Sequence, residues 1–311
     1  MSILVSGSLA IDYIMVFRDR FKNHILPDRL HVLNVAFHVP TLRRSFGGTA
    51  GNIAYHLRLL GDDPLLLASV GSDFSPYAEW LDRHGIDRRF VRTYDDLLTA
   101  QAFITTDLDD NQITAFHSGA MERANDLKVD DVTDAVALGI VSPNAKQAML
   151  DVARDLKRRG VPTVIDPGQQ LSSFTRDELL ALIAGAAVYV VNDYEWSLTQ
   201  SRTEQSEEAL VGHAGTVIVT LGEKGSRILR GADRIEIPPV RAERVVDPTG
   251  CGDAYRAGLL HGMRHGLPLE TAGRIGSLLG ALKVEQQGTQ GLRLDREAFR
   301  ARYEREFGAK I

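Results

Sequence analysis

The chain has one cysteine, Cys251, among 311 residues. A single thiol excludes an internal disulfide and a multi-cysteine metal centre, and it suits a reducing compartment. Long apolar runs are missing as well. The longest candidate for a membrane span, Ala181–Val191, has about half of the ~20 apolar residues a spanning helix needs. The opening MSILVSGSLAID has no basic leader and no long apolar segment, so no signal peptide and a cytoplasmic location are expected. Charge of one sign is not in large excess: the net charge is −5, which leaves no electrostatic footprint for nucleic acid or an anionic membrane, and neither partner is expected. Three familiar signatures are also absent. No G-x-x-x-x-G-K-[ST] occurs, which excludes a P-loop enzyme. Gly250-x-Gly252 meets Tyr255 where a dinucleotide fingerprint needs a third glycine, and it sits late in the chain, which argues against a Rossmann dehydrogenase. The nine histidines have no H-E-x-x-H or other recognised ligand spacing, and none is assigned to a metal.

What is present is an alternation. Short apolar runs at Ile3–Val5, Leu65–Val70, Ala135–Val141, Val161–Ile165, Ala187–Val191 and Thr216–Thr220 predict strands. Between them Asn52–Leu60, Ala145–Arg159 and Arg176–Ala184, each closed by a glycine, predict helices. Strands alternating with helices imply an α/β domain with a mostly parallel sheet covered on both faces. Two segments break the rhythm. Tyr13–Phe46 is of mixed polarity with a Pro27-Asp28 turn, and Ala100–Thr106 with Gln112–His117 read as a hairpin around an Asp-Leu-Asp-Asp-Asn turn. Together they predict a small discontinuous β lid (residues 13–46 and 99–119) on a core of residues 1–12, 47–98 and 120–311. A lid of this kind keeps water from a reacting group. From Gly258 on the pattern is helical, with a glycine-rich break at Gln286–Gly291.

The chemistry concentrates at VVDPTGCGDAYRAGL, residues 245–259. Two glycines flank Cys251 just before an aspartate that opens a helical pattern. A helix N-terminus offers unpaired N–H groups and a positive dipole end, and glycine lets an anion come close. An acid there repels an anion unless it has work to do. Phosphoryl transfer supplies that work: the N–H groups of Gly250, Cys251 and Gly252 stabilise charge on the moving phosphoryl group, and Asp253 accepts the proton of an attacking hydroxyl. A capped helix start explains the same four residues about equally well.

Other stretches have two readings each. Phe46-Gly47-Gly48-Thr49-Ala50-Gly51-Asn52 is a hinge, or a place where backbone approaches a ligand and the Asn52 amide meets hydroxyls. Asp12, just after the first strand, is a turn residue or a ligand at the carboxyl edge of the sheet. Asn192 and Glu195 form an N-terminal capping box, or hold hydrated Mg2+ beside phosphates. Gly222 and Gly225 bracket a nucleotide-binding turn or a plain hairpin. Phe103 and Phe116 are lid core, or two faces that clamp a flat heterocycle.

These pieces, in this order, resemble the ribokinase-like, or PfkB, family of carbohydrate and nucleoside kinases. The family's Gly-Gly-x-x-x-Asn, Asn-x-x-Glu and Asp-Thr-x-Gly-Ala-Gly-Asp segments correspond here to Gly47–Asn52, Asn192–Glu195 and Asp247–Asp253. The sequence departs at Pro248, before the threonine, and at Cys251, where alanine is common. Within the family the chain looks closest to adenosine kinases of mycobacterial type, through GSLAID (7–12), LPDRLH (26–31), GGTAGN (47–52), FHSGAM (116–121), DPGQQL (166–171), NDYEW (192–196) and DPTGCGDAYRAG (247–258). The resemblance implies a three-layer α/β/α fold with a β lid, and an adenosine kinase that uses ATP and Mg2+, with K+ among the cofactors to be considered. It implies a nucleoside site of Ser8, Asp12, Gly47, Gly48, Asn52 and Gln169, with adenine between Phe103 and Phe116 and Asp253 as base for the 5′-hydroxyl. ATP is expected at Asn192, Thr220, Leu221, Gly222, Lys224 and Gly225, with Mg2+ reached from Asn192 and Glu195 through water, and a homodimer through the lid. A sugar kinase of the same fold and a non-catalytic nucleotide-binding regulator are the alternatives. The retained Asp253 and both glycines argue against the regulator.

Overall fold

A computed structural model of the chain describes residues 1–26, 32, 34–109 and 111–311. The expected Pro27-Asp28 turn, and Asp110 of the hairpin turn, lie outside the described residues.

A nine-stranded sheet forms the centre. Its parallel part is β1 (Ser2–Ser6), β4 (Pro64–Gly71), β5 (Val91–Tyr94), β8 (Val136–Val141), β9 (Thr163–Ile165), β10 (Val188–Asn192) and β11 (Val217–Thr220). β12 (Ser226–Arg230) and β13 (Asp233–Ile237) extend it antiparallel from β11. The six apolar runs all form strands of this sheet. They are runs rather than alternations because both faces are covered: every residue of β4 is buried. Alternate residues feed two separate cores. Ile3, Val5 and Leu66 belong to the layer with α1 (Thr49–Leu60), α2 (Ser75–Arg83), α7 (Cys251–Arg264), α8 (Leu269–Val284) and α9 (Arg296–Phe307). Leu4, Leu65 and Leu67 belong to the layer with α3 (Lys146–Arg158), α4 (Arg176–Ile183), α5 (Asp193–Thr203) and α6 (Glu207–Ala214). This is the three-layer α/β/α arrangement.

A second, four-stranded sheet runs in the order β3-β2-β6-β7, with β2 (Ala10–Val16), β3 (Thr41–Gly47), β6 (Ala100–Thr106) and β7 (Gln112–His117). β2 pairs antiparallel with β3 and parallel with β6, and β6 and β7 are the expected hairpin. Asp12 belongs to a strand of this small sheet rather than to a turn after β1, and it reaches the carboxyl edge of the large sheet from there. It pairs with Ser45 and Ala102. Its strand, AIDYIMV, is apolar or aromatic everywhere but at Asp12 and half-buried for most of its length, and the charge in its middle interrupts the apolar run.

Candidate active site

Parallel strands end together, so the registers Ser6↔Val141, Val141↔Ile165 and Asn192↔Thr220 set one carboxyl edge. Four segments converge on it: the turn before α7, the start of α1, the end of β9 and the edge of the small sheet.

Asp253 lies in the first turn of α7, whose cap Gly250 has a φ of 80° that favours glycine. The Asn52 amide Nδ2 donates to Asp253 Oδ2 at 2.8 Å. The amide orientation follows from its other contacts: Gln290 Nε2 donates to Asn52 Oδ1 at 3.2 Å, and Trp80 Nε1 donates to Gln290 Oε1 at 2.8 Å. Desolvation is the largest influence on Asp253 and pushes it up to about 6, with Asp166 and Asp12 adding to the rise and Asn52 and Arg256 opposing it. Burial likewise raises Asp12 to about 6. Both carboxyls therefore sit near the value that suits a proton acceptor at neutral pH.

Among the described residues, the Gly250 and Gly252 N–H groups donate to no oxygen of the protein, and the Gly252 N–H lies against the Cys251 sulfur. The Cys251 N–H is used inside the turn, donating to the Pro248 carbonyl at 3.2 Å. This removes one of the three expected donors. A buried ion pair that sequence reasoning missed braces the turn from below: the Arg256 guanidinium holds both oxygens of Asp166, and its Nη1 donates to the Gly252 carbonyl at 3.1 Å. Arg256 follows Asp253 by three helical positions, but its partner is 90 residues away.

A cavity of about 930 Å³ opens against this turn. Thr220, Gly222 and Gly225 line it on one side, Cys251, Gly252 and Tyr255 on another, and Arg241–Val245 and the small residues of α8 complete it. The α8 wall can lie close because Gly258 and Gly276 let α7 and α8 touch: a Cβ on Gly258 would come within 2.7 Å of the Gly276 Cα. Neither the 241–245 segment nor α8 was legible as a binding wall. Leu221 and Lys224 do not line the cavity. Leu221 packs on the core beside α5, and Lys224 is exposed. The turn that carries them is the tight connection from β11 to β12, as the hairpin reading expected, and its Gly222 and Gly225 line the cavity.

The remaining candidates separate. Gly47 lies against the Asp12 carboxylate, where a Cβ would come within 2.2 Å of Oδ2, and its carbonyl accepts from Tyr77 at 2.9 Å. Gly48 caps α1 with a φ of 81°. Ser8 is buried, and its Oγ accepts from the Thr49 N–H at 3.2 Å at the start of α1. Gln169 is exposed in the 3-10 turn after β9. Asn192 and Glu195 form the capping box of α5 in full, with Glu195 N–H to Asn192 Oδ1 at 2.7 Å and Asn192 N–H to Glu195 Oε2 at 2.8 Å. Asn192 is exposed, its oxygen accepts one hydrogen bond within the capping box, and neither it nor Glu195 lines the cavity. Burial, then the nearby Asp166, pushes Glu195 up.

The aromatic clamp is also corrected. Phe103 pairs with Ala115, and Ala102 pairs with Phe116. Paired residues share a face and neighbours along a strand do not. The two phenylalanines therefore lie on opposite faces and cannot enclose a ring between them within one chain. Phe116 shares the face of Ala102 and Asp12, whereas Phe103 stacks on Tyr13 on the other, with centroids 5.0 Å apart.

No helix among the described residues is long and apolar enough to cross a membrane. The family described as "pfkB family carbohydrate kinase" matches residues 7–295. A nucleoside kinase of Methanocaldococcus jannaschii is 32% identical over 91% of this chain and 90% of its own. The Burkholderia thailandensis nucleoside kinase in complex with inosine superposes with a TM-score of 0.91 at 44% identity, covering 99% of both chains. The adenosine kinase of Sinorhizobium meliloti superposes with a TM-score of 0.76 at 25% identity, over 97% of this chain and 98% of its own.

Proposed function

This chain belongs to the PfkB family of carbohydrate kinases, and on that footing we propose that it transfers the γ-phosphoryl group of ATP to the 5′-hydroxyl of adenosine, giving AMP and ADP. It is a nucleoside kinase of the ribokinase family and an ATP-dependent phosphotransferase acting on a hydroxyl group. Adenosine as the acceptor is our reading. The observation that supports it most is the Asp253 carboxylate, held by Asn52 and next in the chain to Gly252, which lines a nucleotide-sized cavity.

Each residue then has one task. Asp253 takes the proton of the 5′-hydroxyl as that oxygen attacks phosphorus. The Gly250 and Gly252 N–H groups hold the negative charge of the transferring phosphoryl group. Asp12 accepts from ribose hydroxyls, and the adenine lies against Phe116 on the same face of the small sheet. That sheet is the lid over the core. Its opposite face carries the exposed Leu42, Phe103 and Ile113 around the half-buried Tyr13, with Arg44 among them, and suits pairing with a second copy of the chain.

Bound Mg2+ supplies charge neutralisation on the phosphates. Glu195 fits it: one carboxylate oxygen is free of the capping box, and the negative field of Asp166 favours a cation there. K+ does not fit beside the glycine turn. The fully buried Lys283 ammonium already occupies that role, donating to the carbonyls of Asp247 at 2.7 Å and Gln286 at 3.2 Å.

The test is ADP release with adenosine, inosine, guanosine, ribose and fructose phosphates as acceptors. The highest kcat/KM for adenosine supports the proposal, and a preference for ribose overturns it. Inosine is the second reading, because a relative at 44% identity binds it.

A further inference from the structure

Far from the glycine turn, the structure gathers a cluster that no histidine spacing had marked. His261 in the last turns of α7 and His265, the residue that caps it, both face the carboxylate of Asp62. His261 Nδ1 lies 2.7 Å from Asp62 Oδ2 and His265 Nε2 lies 3.0 Å from Oδ1. The ring centroids are 4.6 Å apart. We propose that Asp62, His261 and His265 form a binding site for a divalent transition-metal ion of the Zn2+ class, one that clips α1 to α7.

The donor set argues for a cation. The Asp62 side chain is only 6% exposed, and among the described residues no lysine or arginine pairs with its carboxylate. A buried carboxylate is normally paired or bound to a metal, and among the described residues the side chains that reach this one are two imidazoles, which are themselves metal ligands. The separations suit an ion. Ligand bonds of about 2.0–2.2 Å around tetrahedral Zn2+ put neighbouring donor atoms roughly 3.3 Å apart, and here one donor atom from each of the three side chains lies within 4.8 Å of the other two, a spread that small side-chain movements bring onto one ion. Asp62 cannot drift away, because its N–H donates to Leu57 at 3.0 Å in the turn that ends α1. His265 is 52% exposed, which leaves an entry path and room for water as a fourth ligand. Two imidazoles and one carboxylate select Zn2+, Co2+, Ni2+ or Cu2+ over Mg2+, which prefers oxygen donors.

The site is structural rather than catalytic. His261 lies eight residues beyond Asp253, roughly 12 Å along the helix at 1.5 Å per residue. α1 carries Asn52 at its opposite end, and α7 carries Asp253. An ion at the far ends of both helices would therefore brace the pair that positions the base.

The experiment uses the full chain stripped with EDTA. Addition of ZnCl2 should bind one equivalent and raise Tm by roughly 4–8 °C at a hundredfold excess over Kd. Co2+ should give the visible absorption of a low-coordinate nitrogen–oxygen site. Both signals should vanish in the His261→Gln/His265→Gln variant and persist in His213→Gln, which alters an exposed histidine on α6. Should the double variant fail to fold, Asp62→Asn provides the same comparison. A Tm rise that survives these substitutions overturns the proposal, and so does the absence of stoichiometric binding to the parent chain.

Discussion

Asn52 and Asp253, 201 residues apart in the chain, meet at 2.8 Å through an amide N–H and a carboxylate oxygen. The contact joins the first turns of α1 and α7 and leaves the second Asp253 oxygen available to an incoming hydroxyl. Asn52 is itself held by Gln290, in the glycine-rich break after α8. Three distant segments thus fix one proton acceptor.

Replacing that acceptor should stop chemistry while sparing binding. Asp253→Asn is expected to lower kcat by about 10²–10⁴-fold, the usual contribution of a positioned general base, with little change in nucleoside affinity. Steady-state kinetics and equilibrium binding together check this. Near-parental kcat would remove Asp253 from the mechanism.

The pH profile follows from the same carboxyl. The reaction needs Asp253 ionised, so kcat/KM should fall below about pH 6, the value to which burial raises it. Asp12 contributes to that rise, so Asp12→Asn should move the acid limb to lower pH even as it weakens binding. The two groups titrate as a pair, and the limb reports both. Stability runs the other way. The folded value lies above the ordinary 3.8, so the folded chain holds the proton more tightly and this group's contribution to stability is lost as pH rises from about 4 to about 6. Asp253→Asn should accordingly melt higher than the parent at about pH 8 and match it at about pH 4.

The strand register separates the two phenylalanines in function. Phe116→Ala should weaken adenosine by about 5- to 150-fold, since stacking of a base on an aromatic ring is worth roughly 1–3 kcal/mol. Phe103→Ala should leave adenosine affinity near parental and instead loosen the stack with Tyr13, read as a lower Tm or a changed oligomeric state. Equal losses of affinity in both variants would place both rings on the nucleoside.

A tethered ammonium beside the turn predicts indifference to potassium. Phosphorylation by the parent chain should be the same in sodium, choline and potassium salts. Lys283→Met should lower kcat by up to about 10²-fold, the scale of a slight misplacement of reacting groups, and NH4+ should restore part of it. A parent enzyme that needs K+ would refute this role for Lys283.

Local order was enough for much of this protein. Gly250, Gly252 and Asp253 are neighbours on one turn, so their joint presence at a helix start could be read directly. The buried strands announced themselves as apolar runs because helices cover both faces of the sheet. The capping box of Asn192 and Glu195 is likewise a local pattern, and the structure forms it in full. Contacts between distant segments could not be read this way. The partners of Asp253, Asp166 and Asp62 all come from other elements, and no spacing along the chain encodes which elements pack together. The hairpin shows how fine the distinction is. Both of its strands were evident, but the register that pairs Phe103 with Ala115 put the two rings on opposite faces, because a strand alternates its side chains and one residue of offset reverses the side.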